Sequence, residues 1–257
     1  MVHSFPTRRS SDLPKLPVVA APPAPPAPPA GEIICELRGV EFAYAAGAPA
    51  ALAGVDLTLR RGERLALLGE NGAGKSTLLH LLAGALTPTR GEIRWTGTRP
   101  AVGLVMQSPD LMLFCETVRD EAAFAPRQAG REESAALALS DRLLAKLELT
   151  ELADRPPFAL SRGQRLRAAV ASVLALEPEA LLLDEPTSGQ DRARVERLLA
   201  GLAGEFALTV FCTHDLAAAA RHATRLALLA GGRIVATGTP AELLLNPQRL
   251  AFGGLKP

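Results

Sequence analysis

The sequence predicts an α/β fold with a mostly parallel sheet, an antiparallel β subdomain and an inserted helical segment. Short apolar runs at residues 181–183, 208–211 and 226–229 alternate with helical stretches, as in a parallel sheet. Strands with alternating apolar residues precede them, and a long helical stretch lies between the two groups. We see no internal repeat.

The composition bounds the possible functions. The chain has 257 residues, 48% of them hydrophobic, which is enough to bury a substantial core. Its net charge of +1 provides no basic surface, so we expect no nucleic acid partner. The three cysteines lack CxxC spacing, which argues against disulfides or zinc and favours a reducing cytosol. Because no apolar run reaches the roughly 18 to 20 residues of a membrane helix, we expect spanning parts on other chains.

The N-terminal residues require separate treatment. Residues 3–13 (HSFPTRRSSDL) match the translation of one frame of a common sequencing adapter, and we interpret them as an assembly artefact. A short disordered basic tail and a transit peptide are the alternatives. The proline-rich residues 22–31 predict a stiff polyproline II linker without a core. We therefore assign residues 1–31 to a disordered tail and 32–257 to the folded domain.

Two kinds of strand open the folded part. Apolar residues alternate on both sides of a loop within residues 33–59, which predicts a half-exposed antiparallel sheet. Residues 65–68 are continuously apolar, as expected of a strand buried on both faces, and a helix is predicted over 76–85. Shorter strands are predicted at 92–95 and 102–106. The region 120–167 is predicted to be largely helical, most clearly at 132–149.

The glycine loop after the buried strand carries the strongest motif. Residues 69–76 (GENGAGKS) fit the pattern G-x-x-x-x-G-K-[ST] between a strand and a helix. Its backbone N–H groups and the helix N-terminus would surround phosphate oxygens, while Lys75 would reach the β- and γ-phosphates and Ser76 would ligate Mg²⁺. A plain glycine turn is the alternative. The predicted nucleotide contacts are Gly69, Asn71, Gly72, Ala73, Gly74, Lys75, Ser76 and Thr77.

An apolar strand at residues 181–183 ends in two carboxylates, Asp184 and Glu185. In phosphate-loop ATPases the first acid holds Mg²⁺ and the second polarises the attacking water. Alone, this string is often just a strand end. Beside a phosphate loop it favours Asp184 as a metal ligand and Glu185 as a catalytic residue.

Residues 160–164 (LSRGQ) resemble the signature motif of ATP-binding cassette (ABC) ATPases, which is LSGGQ in most members. Ser161 is predicted to cap a helix that runs to about residue 175, although such a helix could serve structure alone. The resemblance implies a P-loop NTPase ABC-cassette core with a helical subdomain at about 108–170. It also implies that Ser161, Gly163 and Gln164 complete the ATP site of a second ATPase subunit, identical or not. Arg162 stands where glycine is usual, which leaves open the rate of ATP hydrolysis and the pairing of the two subunits.

Four further residues match this family by position. Gln107 resembles the glutamine that touches Mg²⁺ and the attacking water, and His214 resembles the switch histidine at the γ-phosphate. Asp191 matches the D-loop acid. Tyr44 resembles the aromatic that stacks on adenine, although it also alternates with Phe42 as a plain strand face would.

One stretch resembles the energy-coupling factor (ECF) subfamily, whose members carry QNP, LF, TV and DVAFGP-like elements. The corresponding segments are 107–110 (QSPD), 113–118 (LFCETV) and 122–126 (AAFAP), with Met112 for the usual Gln and Ala125 for the final Gly. The resemblance implies vitamin or cobalt and nickel import, driven by ATP and Mg²⁺ at the cytoplasmic face of the cell membrane. The apolar run at 111–114 predicts a surface that docks a transmembrane transporter subunit.

Two other functions compete with transport. A soluble ABC protein of translation or DNA maintenance would usually carry two cassettes, long coiled-coil insertions or zinc modules, which this chain lacks. A regulatory subunit without turnover is the third possibility. The presence of both Glu185 and His214 argues against it.

Overall fold

The computed structural model describes residues 31–187 and 192–244. The predicted tail, apart from Gly31, lies outside these residues. The strands are β1 Ile33–Phe42, β2 Leu52–Arg60, β3 Glu63–Leu68, β4 Arg90–Trp95, β5 Val102–Val105, β6 Ala180–Asp184, β7 Leu208–Cys212, β8 Arg225–Ala230 and β9 Arg233–Gly238. The helices are α1 Lys75–Ala83, α2 Val118–Gln128, α3 Glu133–Lys146, α4 Arg162–Leu174, α5 Arg192–Gly201, α6 Leu216–His222 and α7 Pro240–Leu244.

The larger sheet has the order β5-β6-β7-β3-β8-β9 and is parallel except for its β8–β9 edge. The predicted, mostly parallel sheet is confirmed. Successive side chains of β3 point to opposite faces, so Leu65 and Leu67 join one hydrophobic core cluster while Ala66 and Leu68 join the other. The sheet is therefore covered on both faces, which explains the continuous apolar run in the sequence.

The smaller sheet is antiparallel and has the order β2-β1-β4. Leu37 at its centre pairs with Leu57 of β2 and with Ile93 of β4. The predicted antiparallel sheet is confirmed, and β4 is its third strand. Its apolar face packs in the same core cluster as Leu78 and Leu79 of α1, so this sheet lies against the helix that follows the glycine loop.

A helical segment fills the chain between β5 and β6, as predicted. It contains α2, α3, α4 and 3₁₀ turns at Pro109–Leu111, Thr150–Leu152 and Pro157–Ala159. Helix α4 begins with a capping box, in which Ser161 N–H donates to Gln164 Oε1 at 2.8 Å and Gln164 N–H donates to Ser161 Oγ at 3.4 Å. Within the described ranges, none of the helices is long and apolar enough to cross a bilayer.

Candidate nucleotide-binding site

The glycine loop joins the carboxyl end of β3 to the first turn of α1, where helical N–H groups have no intrahelical partners. Gly74 caps this helix with φ 104°, and a Cβ atom there would lie 2.5 Å from the carbonyl oxygen of Ala51. Only glycine fits this position. The loop thus directs backbone donors toward the end of the parallel sheet where ligands bind in such folds.

Lys75 is 6% exposed and lies within the loop. Its ammonium donates to the carbonyl oxygens of Gly69 at 3.0 Å and Glu70 at 3.1 Å. It also lies 3.6 Å from Glu185 Oε1. The geometry therefore joins the cation of the loop to the carboxylate after β6.

Asp184 and Glu185 stand at the carboxyl end of β6 and are 3% and 7% exposed. Burial raises the pKa of Asp184, although a hydrogen bond from Ser76 opposes this effect. Asp184 Oδ1 is buried and accepts no hydrogen bond from the described residues. Glu185 has φ 49°, a left-handed conformation that is costly for a side chain with a Cβ. Such strain fits a residue held for its chemistry.

Two predicted residues, His214 and Tyr44, reach the same region from other parts of the chain. His214, after β7, places Nδ1 2.9 Å from Glu185 Oε2. The Tyr44 hydroxyl lies 3.0 Å from Thr77 Oγ1, and its ring meets Phe42 edge-on at 5.0 Å while remaining 67% exposed. Tyr44 lies in a bend two residues after the end of β1, so it is not part of a strand face. Its exposed ring beside the glycine loop is free to stack on a base.

These elements form an open cavity of about 450 Å³. It is lined by Tyr44, Ala51, Asn71, Gly72, Gly74, Lys75, Ser76, Thr77, Gln107 and Glu185. Sequence reasoning missed Ala51, since a loop alanine contributes little beyond backbone and leaves no signal. Gly69, Ala73, Asp184 and His214 adjoin the lining residues in sequence or by contact.

One predicted group does not line the cavity. Ser161, Gly163 and Gln164 lie at the start of α4 and are not among the residues that line it. Asp191 lies outside the described residues. The cavity within one chain therefore lacks the signature residues, as expected if they serve another subunit.

The comparisons with known proteins agree with this geometry. A family model described as ABC transporter matches residues 52–188. The cobalt import ATP-binding protein CbiO of Rhodobacter capsulatus is 42% identical over 239 residues, covering 87% of this chain and 85% of that protein. The nickel import ATP-binding protein NikO of the same organism is 43% identical over 244 residues, covering 86% and 95%.

A solved structure shows the same fold. It is cbiO1 from Clostridium perfringens, described as part of the ABC transporter complex cbiONQ, with 29% identity and a TM-score of 0.75. The alignment covers 85% of this chain and 93% of that one.

The chain also matches a putative ABC transporter ATP-binding protein of Methanosarcina acetivorans at 44% identity. The match spans 33% of the length of that relative.

Proposed function

The chain belongs to the ABC transporter family as an ATP-binding ATPase subunit, and from this premise we propose that it powers import of a transition-metal ion, cobalt or nickel. The observation that carries the proposal is the chain of contacts from Lys75 through Glu185 to His214 beside the cavity. The import names of the two Rhodobacter relatives supply the cargo class. Vitamin import is the other cargo that the ECF resemblance implies.

The phosphate end of ATP binds in the glycine loop. Backbone N–H groups of the loop and of the α1 N-terminus donate to phosphate oxygens, and the Lys75 ammonium turns from the loop carbonyls to the β- and γ-phosphates. The adenine stacks on Tyr44, whose hydroxyl stays with Thr77. The cavity thus binds the nucleotide through both its phosphates and its adenine.

The metal accompanying ATP would be Mg²⁺, and Ser76, Asp184 and Gln107 would hold it. The buried, unpartnered Asp184 Oδ1 fits a hard cation that prefers oxygen ligands. When bound, the ion would neutralise charge on the phosphates while the γ-phosphoryl group is transferred to water. The protein's own part is to keep the Asp184 carboxylate in place at the end of a fully buried strand.

Glu185 acts as the general base toward the attacking water. Its carboxylate is held from two sides, by Lys75 and by His214, so that its orientation is fixed before the substrate binds. His214 is 63% exposed in its side chain, which leaves the ring accessible to the γ-phosphate. Gln107, which also lines the cavity, orients the same water.

A second cassette completes the site. The capping box of α4 holds Ser161 and Gln164 in a fixed geometry at the surface, so that their polar groups are presented outward. Two cassettes pack head to tail, and Ser161, Gly163 and Gln164 of each contact the ATP of the other. Asp191 lies at the same interface.

A docking surface for the membrane subunits lies just after Gln107, on the helical subdomain that we assign to about 108–170. The docking surface consists of Leu111, Met112, Phe114 and Phe124. Leu111, Phe114 and Phe124 are 75%, 64% and 38% exposed, and the two phenylalanine rings meet edge-on at 4.8 Å. An exposed apolar patch of this kind is more stable in contact with the apolar face of a helix than in contact with water.

The buried side chain of Glu121 anchors the loop that carries Phe114. Its Oε1 accepts hydrogen bonds from the backbone N–H groups of Phe114 and Cys115. Leu113 beside them is 3% exposed and belongs to the core. Because the backbone of the loop is anchored by these bonds, the side chain of Phe114 stays exposed instead of packing onto the domain.

The test is transport by an assembled complex. The chain is co-expressed with the membrane subunits encoded beside its gene and reconstituted in vesicles, and uptake of radioactive Co²⁺ or Ni²⁺ is measured with MgATP. We expect ATP-dependent uptake that Glu185→Gln abolishes. Uptake of a vitamin instead would correct the cargo, and failure to assemble with any membrane subunit would contradict the function.

We find no support for a soluble ABC protein of translation or DNA maintenance. The Rhodobacter relatives are named as import ATP-binding proteins, and the structural match is described as part of a transporter complex.

A further inference from the structure

A second cavity lies away from the nucleotide site, between the end of α3 and the helices α4 and α5. Its volume is about 60 Å³. We call it the basic cavity, because four cationic side chains and one acid, Glu148, line it. The cationic residues are Lys146, Arg167, Arg194 and Arg197. Its walls are apolar, formed by Leu147, Leu198 and Leu202. None of the motif residues of the ATPase lies among them.

The charges of the basic cavity are only partly balanced. Glu148 lies 3.4 Å from Arg197, and Glu205 pairs with Lys146. Arg194 forms no ion pair with a described residue, and Arg167 shares the charge of Glu148 with Arg197 without an ion pair of its own among the described residues. Two of the four positive charges therefore lack a counter-charge in this part of the chain.

Arg167 is the deepest of these cations. Its Nε is buried and makes no hydrogen bond to the described residues. Burial is the main cause that lowers its pKa, and the neighbouring charges of Arg194 and Arg197 lower it further, whereas Glu148 opposes them. A guanidinium in such surroundings is stabilised by an acceptor that carries negative charge.

We propose that the basic cavity binds the phosphate group of a small molecule. The surplus of two positive charges matches a phosphate dianion, and guanidinium groups bind phosphate oxygens through paired N–H donors. The recess with leucine walls favours a small ligand over a flat acidic protein surface. The ligand would contact α3, α4 and α5 together, and so would link the signature helix α4 to the helix after residue 191.

The test is calorimetric titration with inorganic phosphate at constant ionic strength, on the full chain carrying Lys75→Ala to weaken binding in the glycine loop. We expect saturable binding with one site per chain. Adding Arg194→Gln and Arg197→Gln should weaken it at least tenfold. Both side chains are exposed, so folding should persist, and Arg194→Gln alone provides a milder variant.

The matched control is Arg61→Gln with Arg90→Gln, which removes the same charge from exposed positions outside the cavity. We expect phosphate binding to be unchanged in it. A parallel titration with glycerol 3-phosphate tells whether an ester or the free ion binds more tightly, and either order supports the site. Absence of saturable binding, or equal weakening in both double variants, would overturn the proposal.

Discussion

Lys75 Nζ lies 3.6 Å from Glu185 Oε1, and the other oxygen of that carboxylate lies 2.9 Å from His214 Nδ1. One buried carboxylate is therefore held between the cation of the glycine loop and the histidine after β7. Residues that are 110 positions apart in the chain meet because β3, β6 and β7 are neighbours in one parallel sheet.

Glu185→Gln should slow MgATP hydrolysis by roughly 10² to 10⁴, because the amide keeps the side-chain shape but no longer accepts a proton from water. The phosphate-binding groups stay intact, so an ATP-bound dimer should accumulate in size-exclusion runs with MgATP. Glu179→Gln, at the exposed opposite end of β6, is the control and should behave as wild type. A Glu185→Gln chain that stays monomeric, alone and with its partner cassette, would argue against a shared site.

Substitutions of Tyr44 test whether its ring stacks on adenine. If the ring stacks on adenine, Tyr44→Ala should weaken ATP binding about five- to tenfold, since such stacking contributes about 1 to 1.5 kcal/mol. Tyr44→Phe keeps the ring and loses only the contact with Thr77, so its affinity should change little. Titrations with ATP measure both, and equal affinity in all three proteins would contradict stacking of Tyr44 on adenine.

Charging the docking surface should uncouple the cassette from its membrane subunits. Phe114→Asp and Met112→Asp should prevent co-purification with the subunits encoded beside the gene, because a carboxylate would have to be buried against an apolar helix. ATP hydrolysis by the isolated cassette should remain. Val235→Asp, on exposed β9, is the matched control. Assembly and uptake that survive the charged patch, or an isolated variant that unfolds, would remove the support for this surface.

A chain that starts at Glu32 should fold as well as the full sequence. The removed residues offer a basic tail and a Pro/Ala linker without a periodic apolar face to pack. Melting temperature and ATPase rate should both match those of the full chain. A large drop in either would contradict the adapter and linker interpretations together.

Local sequence patterns predicted most of this fold. The strand, glycine loop and helix around Lys75 are contiguous, and the cap of α4 depends on residues three positions apart, so a short window contains the necessary information. The pairing of β4 with β1 depends instead on contacts about 55 positions apart, which no local pattern specifies. The hairpin between β8 and β9 was not predicted, although the pair Gly231-Gly232 between two apolar runs is a sequence signal for it. Both glycines adopt positive φ in the structure.

The candidate site was predictable where a motif names a residue type and a spacing. Glu121 shows the limit of such reasoning: in the sequence it is one acid among several in a helix, yet it is 1% exposed and accepts from two backbone donors. The basic cavity is a similar case. Arg167 and Arg194 become neighbours only when α4 packs near α5.

The most direct measurement is MgATP hydrolysis by the purified chain, with its partner cassette where one is needed, compared with Lys75→Ala. Removing the ammonium that offsets the triphosphate charge should abolish turnover and weaken ATP binding. Arg90→Ala, an exposed cation far from the loop in sequence, should change neither. Wild-type turnover by Lys75→Ala would contradict the assignment of this loop as the ATP site.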